Sequence, residues 1–174
     1  RGDFNYSRIN NNAVREVVKL EKNISVIWFL NNDISFVNKL TLKKYLTFFN
    51  TTKNIGVLGS TLLYPDNKTI QHLFISPGTK IAGAHPLKGK RYNRQHNWFK
   101  RPRPIAAVTG ASFMISYKLF SSLSGFDERL ATSCQDLDLC LQALEKGFTN
   151  WTLTDTYLLH HESKTRKKDF SKNE

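Results

Sequence analysis

Apolar positions along the first half of the chain alternate between two rhythms. Ile9, Ala13, Val14, Val17 and Val18 fall at helical spacing and predict an amphipathic helix over roughly 10–21. The run over 24–30, rich in β-branched and aromatic residues, predicts a buried strand that stops on Asn31, Asn32 and Asp33. Leu40, Leu42, Tyr45, Leu46 and Phe49 predict a second helix ending near 50–52. Residues 55–64 read as another strand, which Pro65-Asp66-Asn67-Lys68 turns into a strand at 69–74. From about 77 to 104 the chain is rich in Gly, Pro and Arg and shows no period. A loop of that length inside a domain is usually functional or disordered. A strand pattern resumes over 105–116, broken at Gly110, followed by a short helix over 117–123 and a Gly125-Phe126-Asp127 turn. Leu137, Cys140, Leu141 and Leu144 then set a helix over 136–146 that Gly147 stops, and 151–160 reads as a last strand. There is no internal repeat. The alternation predicts an α/β chain built on a mixed sheet.

Composition narrows this picture in three ways. At 174 residues the chain fits one domain with a sizeable core, and its longest apolar runs are far too short to span a membrane. Cys134 and Cys140 stand six apart, which matches no zinc or redox spacing, so reduced thiols in a cytoplasmic protein are expected, with Cys140 in the core. The net charge of +12 is concentrated at 88–94, 100–103 and 164–168. Such clusters attract nucleic acid, anionic lipid headgroups or the phosphates of a nucleotide or lipid carrier. Residues 164–174 read as a solvated, disordered basic tail. Nucleic acid is the weakest of these partners, because no helix-turn-helix, RRM or zinc spacing accompanies the charge. The sequence opens on Arg1-Gly2-Asp3 without an apolar leader, and a fragment of a longer chain is expected.

Three segments carry candidate chemistry. Asp33 follows a strand directly, where ligand sites of open α/β sheets lie, and a carboxylate there suits a hard divalent cation. On this stretch alone, turn formation is the better account of the same residues. Asp136 and Asp138 open the 136–146 helix, where carboxylates interact well with the helix dipole. Two apart on a helix, they point away from each other, so one of them at most serves a given site as a base. His160 and His161 end the last strand on opposite faces, and one of them could complete a metal sphere begun at Asp33. His72, His85 and His96 show no spacing that assigns them a role.

Read in order, seven groups of residues resemble a known family. They are Phe4-Asn5-Tyr6-Ser7 with Asn10-Asn11; Leu30-Asn31-Asn32-Asp33; 56–72, from Gly56-Val57-Leu58-Gly59 to Ile70-Gln71-His72; Val108-Thr109-Gly110-Ala111; Gly125-Phe126-Asp127-Glu128; 136–141; and His160-His161-Glu162-Ser163. Together they resemble a family 2 glycosyltransferase of the GT-A fold, closest to bacterial rhamnosyltransferase-like and O-antigen enzymes. The resemblance covers about 4–163, and residues 1–163 are expected to form a truncated GT-A domain. The implied fold is a Rossmann-related mixed sheet flanked by helices, the C-terminal portion of such a domain.

The resemblance implies transfer of a sugar, with inversion, from a nucleotide-diphosphate donor to a hydroxyl of a glycan or lipid-linked glycan. Asp33 takes the metal-binding position, with Mg²⁺ or Mn²⁺ as cofactor, and His160 or His161 the C-terminal metal ligand, His160 being preferred. Asp136 takes the position of the general base. Asn31 and Asn32 lie near the nucleotide sugar, Thr109, Gly110 and Ala111 line the donor and acceptor pocket, and Asn10 and Asn11 lie on the donor side. Gln135 stands where the family usually has Glu, and the family's first strand and acidic nucleotide-gripping segment would lie upstream of Phe4. The implied location is cytoplasmic, peripheral at the inner face of the cytoplasmic membrane if the acceptor is lipid-linked. The competing reading is a catalytically inactive module binding an anionic glycan, lipid phosphate or nucleic acid.

Overall fold

A computed structural model describes residues 3–78 and 83–161 of the chain. Glu162, Ser163 and the basic 164–174 segment lie outside the described residues. Helix α1 (Tyr6–Leu20) begins four residues before its expected start, because Asn5 caps it: the Asn5 Oδ1 accepts the N–H of Arg8 at 2.8 Å. Strand β1 (Val26–Leu30) follows, then β2 (Ile34–Phe36), α2 (Thr41–Thr51), β3 (Ile55–Leu63) and β4 (Ile70–His72). Within the long loop lie a 3₁₀ turn at Asn97–Lys100 and β5 (Arg103–Ile105). The described residues end with β6 (Ser112–Ser116), α3 (Tyr117–Ser122), α4 (Gln135–Glu145) and β7 (Thr149–His160).

Two short strands, β2 and β5, are absent from the hydrophobic pattern. Both are three residues long and exist because β7 offers them a hydrogen-bonding edge. Pro104 is tolerated in β5 because that strand has a partner on one side only. The expected strand over 105–116 shrinks to β6, since 106–111 leaves the sheet as a turn after one bridge between Ala107 and Ile75.

The strands form one mixed seven-stranded sheet in the order β1-β6-β3-β7-β2, with β4 on β3 and β5 on β7. β6 runs antiparallel to both β1 and β3, and β3 runs parallel to β7. It follows that β1, β3 and β7 point the same way. Their carboxyl ends, at Leu30, Leu63 and His160, lie along one edge of the sheet.

Strand periodicity sorts the core into two layers. On one face Phe29, Val57, Phe113 and Ile115 pack with Phe120, Phe126, Leu139 and Cys140. On the other, Leu58, Met114 and Leu153 pack with Tyr45 and Phe49 of α2. Helices therefore cover both faces, as the α/β alternation requires. Cys140 is fully buried, and burial pushes its thiol pKa up.

Asn150 is a buried polar side chain with every bond in place. Asn150 donates from Nδ2 to the carbonyls of Ala106 and Cys140 at 2.8 and 2.9 Å, and its Oδ1 accepts the N–H of Val57 at 2.9 Å. One side chain thus stitches α4, β3 and the 106–111 turn to the start of β7.

Candidate active site

The carboxyl edge of the sheet gathers most of the candidate residues. As β1 ends, the Asn31 N–H donates to the carbonyl of Ala111 at 3.1 Å, and the Asn31 carbonyl accepts the N–H of Ile34 at 3.2 Å. This tight turn leaves Asn32 exposed and delivers the chain into β2. Antiparallel pairing sets Ile34 opposite His160, and the His161 N–H reaches the Asp33 carbonyl at 2.9 Å.

That register brings two side chains together. His160 Nε2 lies 3.1 Å from Asp33 Oδ1, with the two side chains only 14% and 18% exposed. On the far side of the ring, Nδ1–H of His160 donates to Gln71 Oε1 at 2.7 Å. His161 faces the other way: its ring meets Ser35 Oγ at 2.8 Å, and the residue is exposed. Alternation along β7 thus separates the adjacent histidines, and His160 is the one beside Asp33.

The donation to Gln71 fixes the tautomer. A neutral His160 carries its proton on Nδ1 and a lone pair on Nε2. Two lone-pair atoms then face each other across 3.1 Å, and a positive charge between them completes the pair: a proton on Nε2, or a cation. One carboxylate oxygen and one imidazole nitrogen, with the imidazole oriented through its other nitrogen, fit a divalent cation that keeps positions for phosphate oxygens and water. Among the described residues, no group of three or more His, Cys, Asp and Glu side chains forms a self-contained metal cage.

Asp136 stands at the start of α4. Its Oδ2 accepts the N–H of Gly110 at 2.7 Å and its Oδ1 accepts the N–H of Leu137 at 2.9 Å. Asp138 turns along the helix, accepting from Gln142 Nε2 at 2.7 Å. The two acids of the first turn therefore diverge, and only Asp136 meets the 109–111 turn.

That turn is the junction of the site. Its Gly110 N–H holds Asp136, while its Ala111 carbonyl holds Asn31. The Gly110 carbonyl accepts from Tyr6 Oη at 2.8 Å. A Cβ at Gly110 would sit 3.0 Å from that oxygen, so glycine allows the ring to close over the turn. Burial, and then the neighbouring Asp136, push the Tyr6 hydroxyl pKa up, so Tyr6 acts as a neutral donor. Thr109 braces the turn through Oγ1, which accepts the Ala111 N–H at 3.3 Å.

Asn10 and Asn11 both bond to backbone groups. Asn10 donates back to the Tyr6 carbonyl at 2.8 Å. Asn11 is buried and clasps the backbone of Phe126, donating to its carbonyl at 2.8 Å and accepting its N–H at 2.9 Å. A shallow cavity beside this clasp is lined by Arg15, Gly125, Glu128 and Gln142, and shares no residue with the Asp33–His160 pair.

Sequence patterning assigned no part to Tyr6, Gln71, His72 or His85, yet all four lie at or next to the turn and the pair. His72 is 3% exposed; its Nε2 accepts the Thr109 N–H at 3.2 Å, and its Nδ1 is 2.9 Å from His85 Nδ1. Tyr6, Gln71 and His72 fall within two of the seven groups of residues that carry the resemblance, which was the one available signal.

Known proteins give this arrangement a context. No family model matches the chain. It is 30% identical over 169 residues, 95% of its length, to the O-antigen biosynthesis protein RfbC of Myxococcus xanthus, and spans 13% of that protein. It is 23% identical over 122 residues, 66% of its length, to an N-acetylglucosaminyl-diphospho-decaprenol L-rhamnosyltransferase of Mycobacterium tuberculosis, spanning 40% of it. The chain therefore spans less than half of either relative. Among solved structures, the fold is similar to that of A197 from STIV, with a TM-score of 0.54 over 90% of this chain and 68% of that one, at 9% identity. The fold is thus a mixed α/β sheet flanked by helices, and the two relatives are named for O-antigen biosynthesis and for rhamnosyl transfer.

Proposed function

We propose that the chain is the metal and acceptor side of a family 2, GT-A glycosyltransferase that transfers a sugar, with inversion, from a nucleotide-diphosphate donor to a hydroxyl. One observation carries the reading. The Thr109–Ala111 turn is hydrogen-bonded to a carboxylate, Asp136, on one side and to the β1 end that presents Asp33 on the other. A base and an ion-binding pair flanking one turn match a displacement whose nucleophile enters and whose leaving group departs on opposite faces of one carbon.

In this reading Asp33 and His160 hold Mg²⁺ or Mn²⁺, with Gln71 orienting the histidine. The bound cation would supply Lewis-acid stabilisation of the charge that builds on the departing diphosphate. The rest falls to the chain's own residues. Gly110 and Leu137 fix both oxygens of Asp136, and each oxygen keeps a lone pair for an incoming hydroxyl. Asp136 takes the proton as the acceptor oxygen bonds to the anomeric carbon and the carbon–phosphate oxygen bond breaks. Asn31 and Asn32 border the donor, Thr109, Gly110 and Ala111 wall the pocket, and Asn10 and Asn11 lie on the donor side. Exposed Lys88, Lys90, Arg91 and Arg94 offer charge to the diphosphate from the long loop.

A lipid-linked acceptor at the inner face of the cytoplasmic membrane suits the surface. Exposed Phe36, Val37, Leu40, Leu42 and Leu46 are interleaved with Lys39 and Lys43, a pattern of interfacial contact. Among the described residues, no helix is long and apolar enough to cross a membrane.

The test is donor binding by the full-length protein, titrated calorimetrically with a panel of nucleotide-diphosphate sugars in Mn²⁺, Mg²⁺ or EDTA. Binding is expected only with the cation, and Asp33→Ala should weaken it at least tenfold (about 1.4 kcal/mol). Metal-independent binding would remove Asp33 and His160 from their role. Failure of every sugar to bind would sink the transferase reading itself.

A further inference from the structure

Two histidines outside the Asp33–His160 pair are joined in a way that assigns their protons. Thr109 N–H is a donor without alternative, so His72 Nε2 must carry a lone pair. The ring's one proton then sits on Nδ1 and donates to His85 Nδ1, 2.9 Å away. His85 in turn accepts at Nδ1 and, when neutral, carries its own proton on Nε2. The neutral state of His72 suits its surroundings: burial, His85 and Lys88 push its pKa down to about 3.

The contacts continue past Thr109. The next N–H in the chain, that of Gly110, is the one that holds Asp136 Oδ2 at 2.7 Å. His85 itself follows the Ser76–Ala84 bridge and opens the exposed basic segment of Lys88, Lys90, Arg91 and Arg94. A continuous line therefore runs from the basic loop through His85, His72 and Thr109 to the carboxylate.

We propose that His85 and His72 form a positioning dyad that couples the basic loop to Asp136, setting the orientation of the base through the two consecutive peptides that carry the Thr109 and Gly110 N–H groups. Neither histidine takes part in proton transfer to the acceptor. His72 holds the Val108–Thr109 peptide, next to the one whose N–H holds Asp136, and His85 ties that hold to the conformation of the loop carrying the phosphate-directed charges. This rests on the reading of Asp136 as the base, and the test separates the two.

Side-chain geometry provides selective variants. In His85→Asn the amide oxygen replaces Nδ1 as acceptor and keeps the bond, whereas His85→Leu removes it. In His72→Gln the amide oxygen replaces Nε2, keeping Thr109 but losing the donation to His85. The first measurement, on the full-length protein, is ¹⁵N NMR of the imidazoles and of the Gly110 amide, which needs no catalysis. Expected are the Nδ1–H tautomer for His72, a displaced Gly110 amide in His85→Leu and His72→Gln, and a wild-type amide in His85→Asn. The second is transfer kinetics: His85→Leu and His72→Gln should lower kcat on the order of tenfold with donor KM within about twofold, and His85→Asn should restore it. An Nε2–H tautomer at His72, or a Gly110 amide unmoved by His85→Leu, overturns the dyad. So does an equal loss in all three variants tracking thermal stability, which is the mark of a merely structural pair. If the amide responds as expected while wild-type protein transfers no sugar, the dyad stands and the transferase reading falls.

Discussion

At the scale of single residues, Asp136 is the most constrained group in the site. Both its oxygens accept backbone N–H bonds, so replacing it by Asn sets an NH₂ against one of those donors and removes the proton acceptor together. Asp136→Asn should lower turnover by roughly 10²-fold or more while donor affinity holds, as read by initial rates beside calorimetry. Retained turnover would dismiss Asp136 as base. The divergence of Asp136 and Asp138 and the opposite facing of His160 and His161 were both legible in the sequence, because two fixed periodicities dictate them. Which histidine met Asp33 was open until the β2–β7 register put Ile34 against His160. Tyr6, Gln71, His72 and His85 were not legible as site neighbours. Each reaches the site through one long-range hydrogen bond that leaves no trace in spacing or composition.

At the scale of elements, the long periodic segments were readable and the short ones were not. Helices α1, α2 and α4 and strands β1, β3 and β7 follow from apolar spacing to within a few residues, although Ile9 and Val17 of α1 and Leu42 and Leu46 of α2 stay exposed. Strands β2 and β5 are defined by their pairing with β7, which no local pattern encodes. The joints between elements rest on particular side chains. Asn150→Ala should cost about 2 kcal/mol or more in urea unfolding, because it strands the Val57 N–H and the Ala106 carbonyl inside the protein. Gly125 has φ +75°, and a Cβ there would come within 2.6 Å of Asn11 Oδ1. Gly125→Ala should therefore cost at least about 1–2 kcal/mol from left-handed strain alone, and loosen the clasp between α1 and the Phe126 turn. A wild-type unfolding midpoint in either variant would contradict these joints.

At the scale of the molecule, charge and topology govern behaviour. The exposed apolar stretch from Phe36 to Leu46 with its lysines should bind vesicles containing anionic lipid, and release them as salt rises. Co-sedimentation with Leu40→Glu should show that binding lost, and unchanged binding would discount this face. Acid stability follows from His72. Its folded pKa lies near 3, below the ordinary value near 6.5, so the unfolded chain binds the extra proton. Stability is whole above pH 6.5 and declines as pH falls toward 3; His72→Gln should flatten that limb of the thermal-melting profile. The sheet order has a further consequence, in time rather than in space. β1 pairs with β6, β3 with β7, and β2 with the very end of β7, so nearly every lateral neighbour is distant along the chain. Such topologies pay their loop-closure entropy before any pairing rewards it, and they fold slowly. The Asp33–His160 contact forms only when the last strand has docked. Competence for ion binding should thus emerge in the slowest refolding phase, after Trp28 has stacked on Tyr45 and its fluorescence has settled.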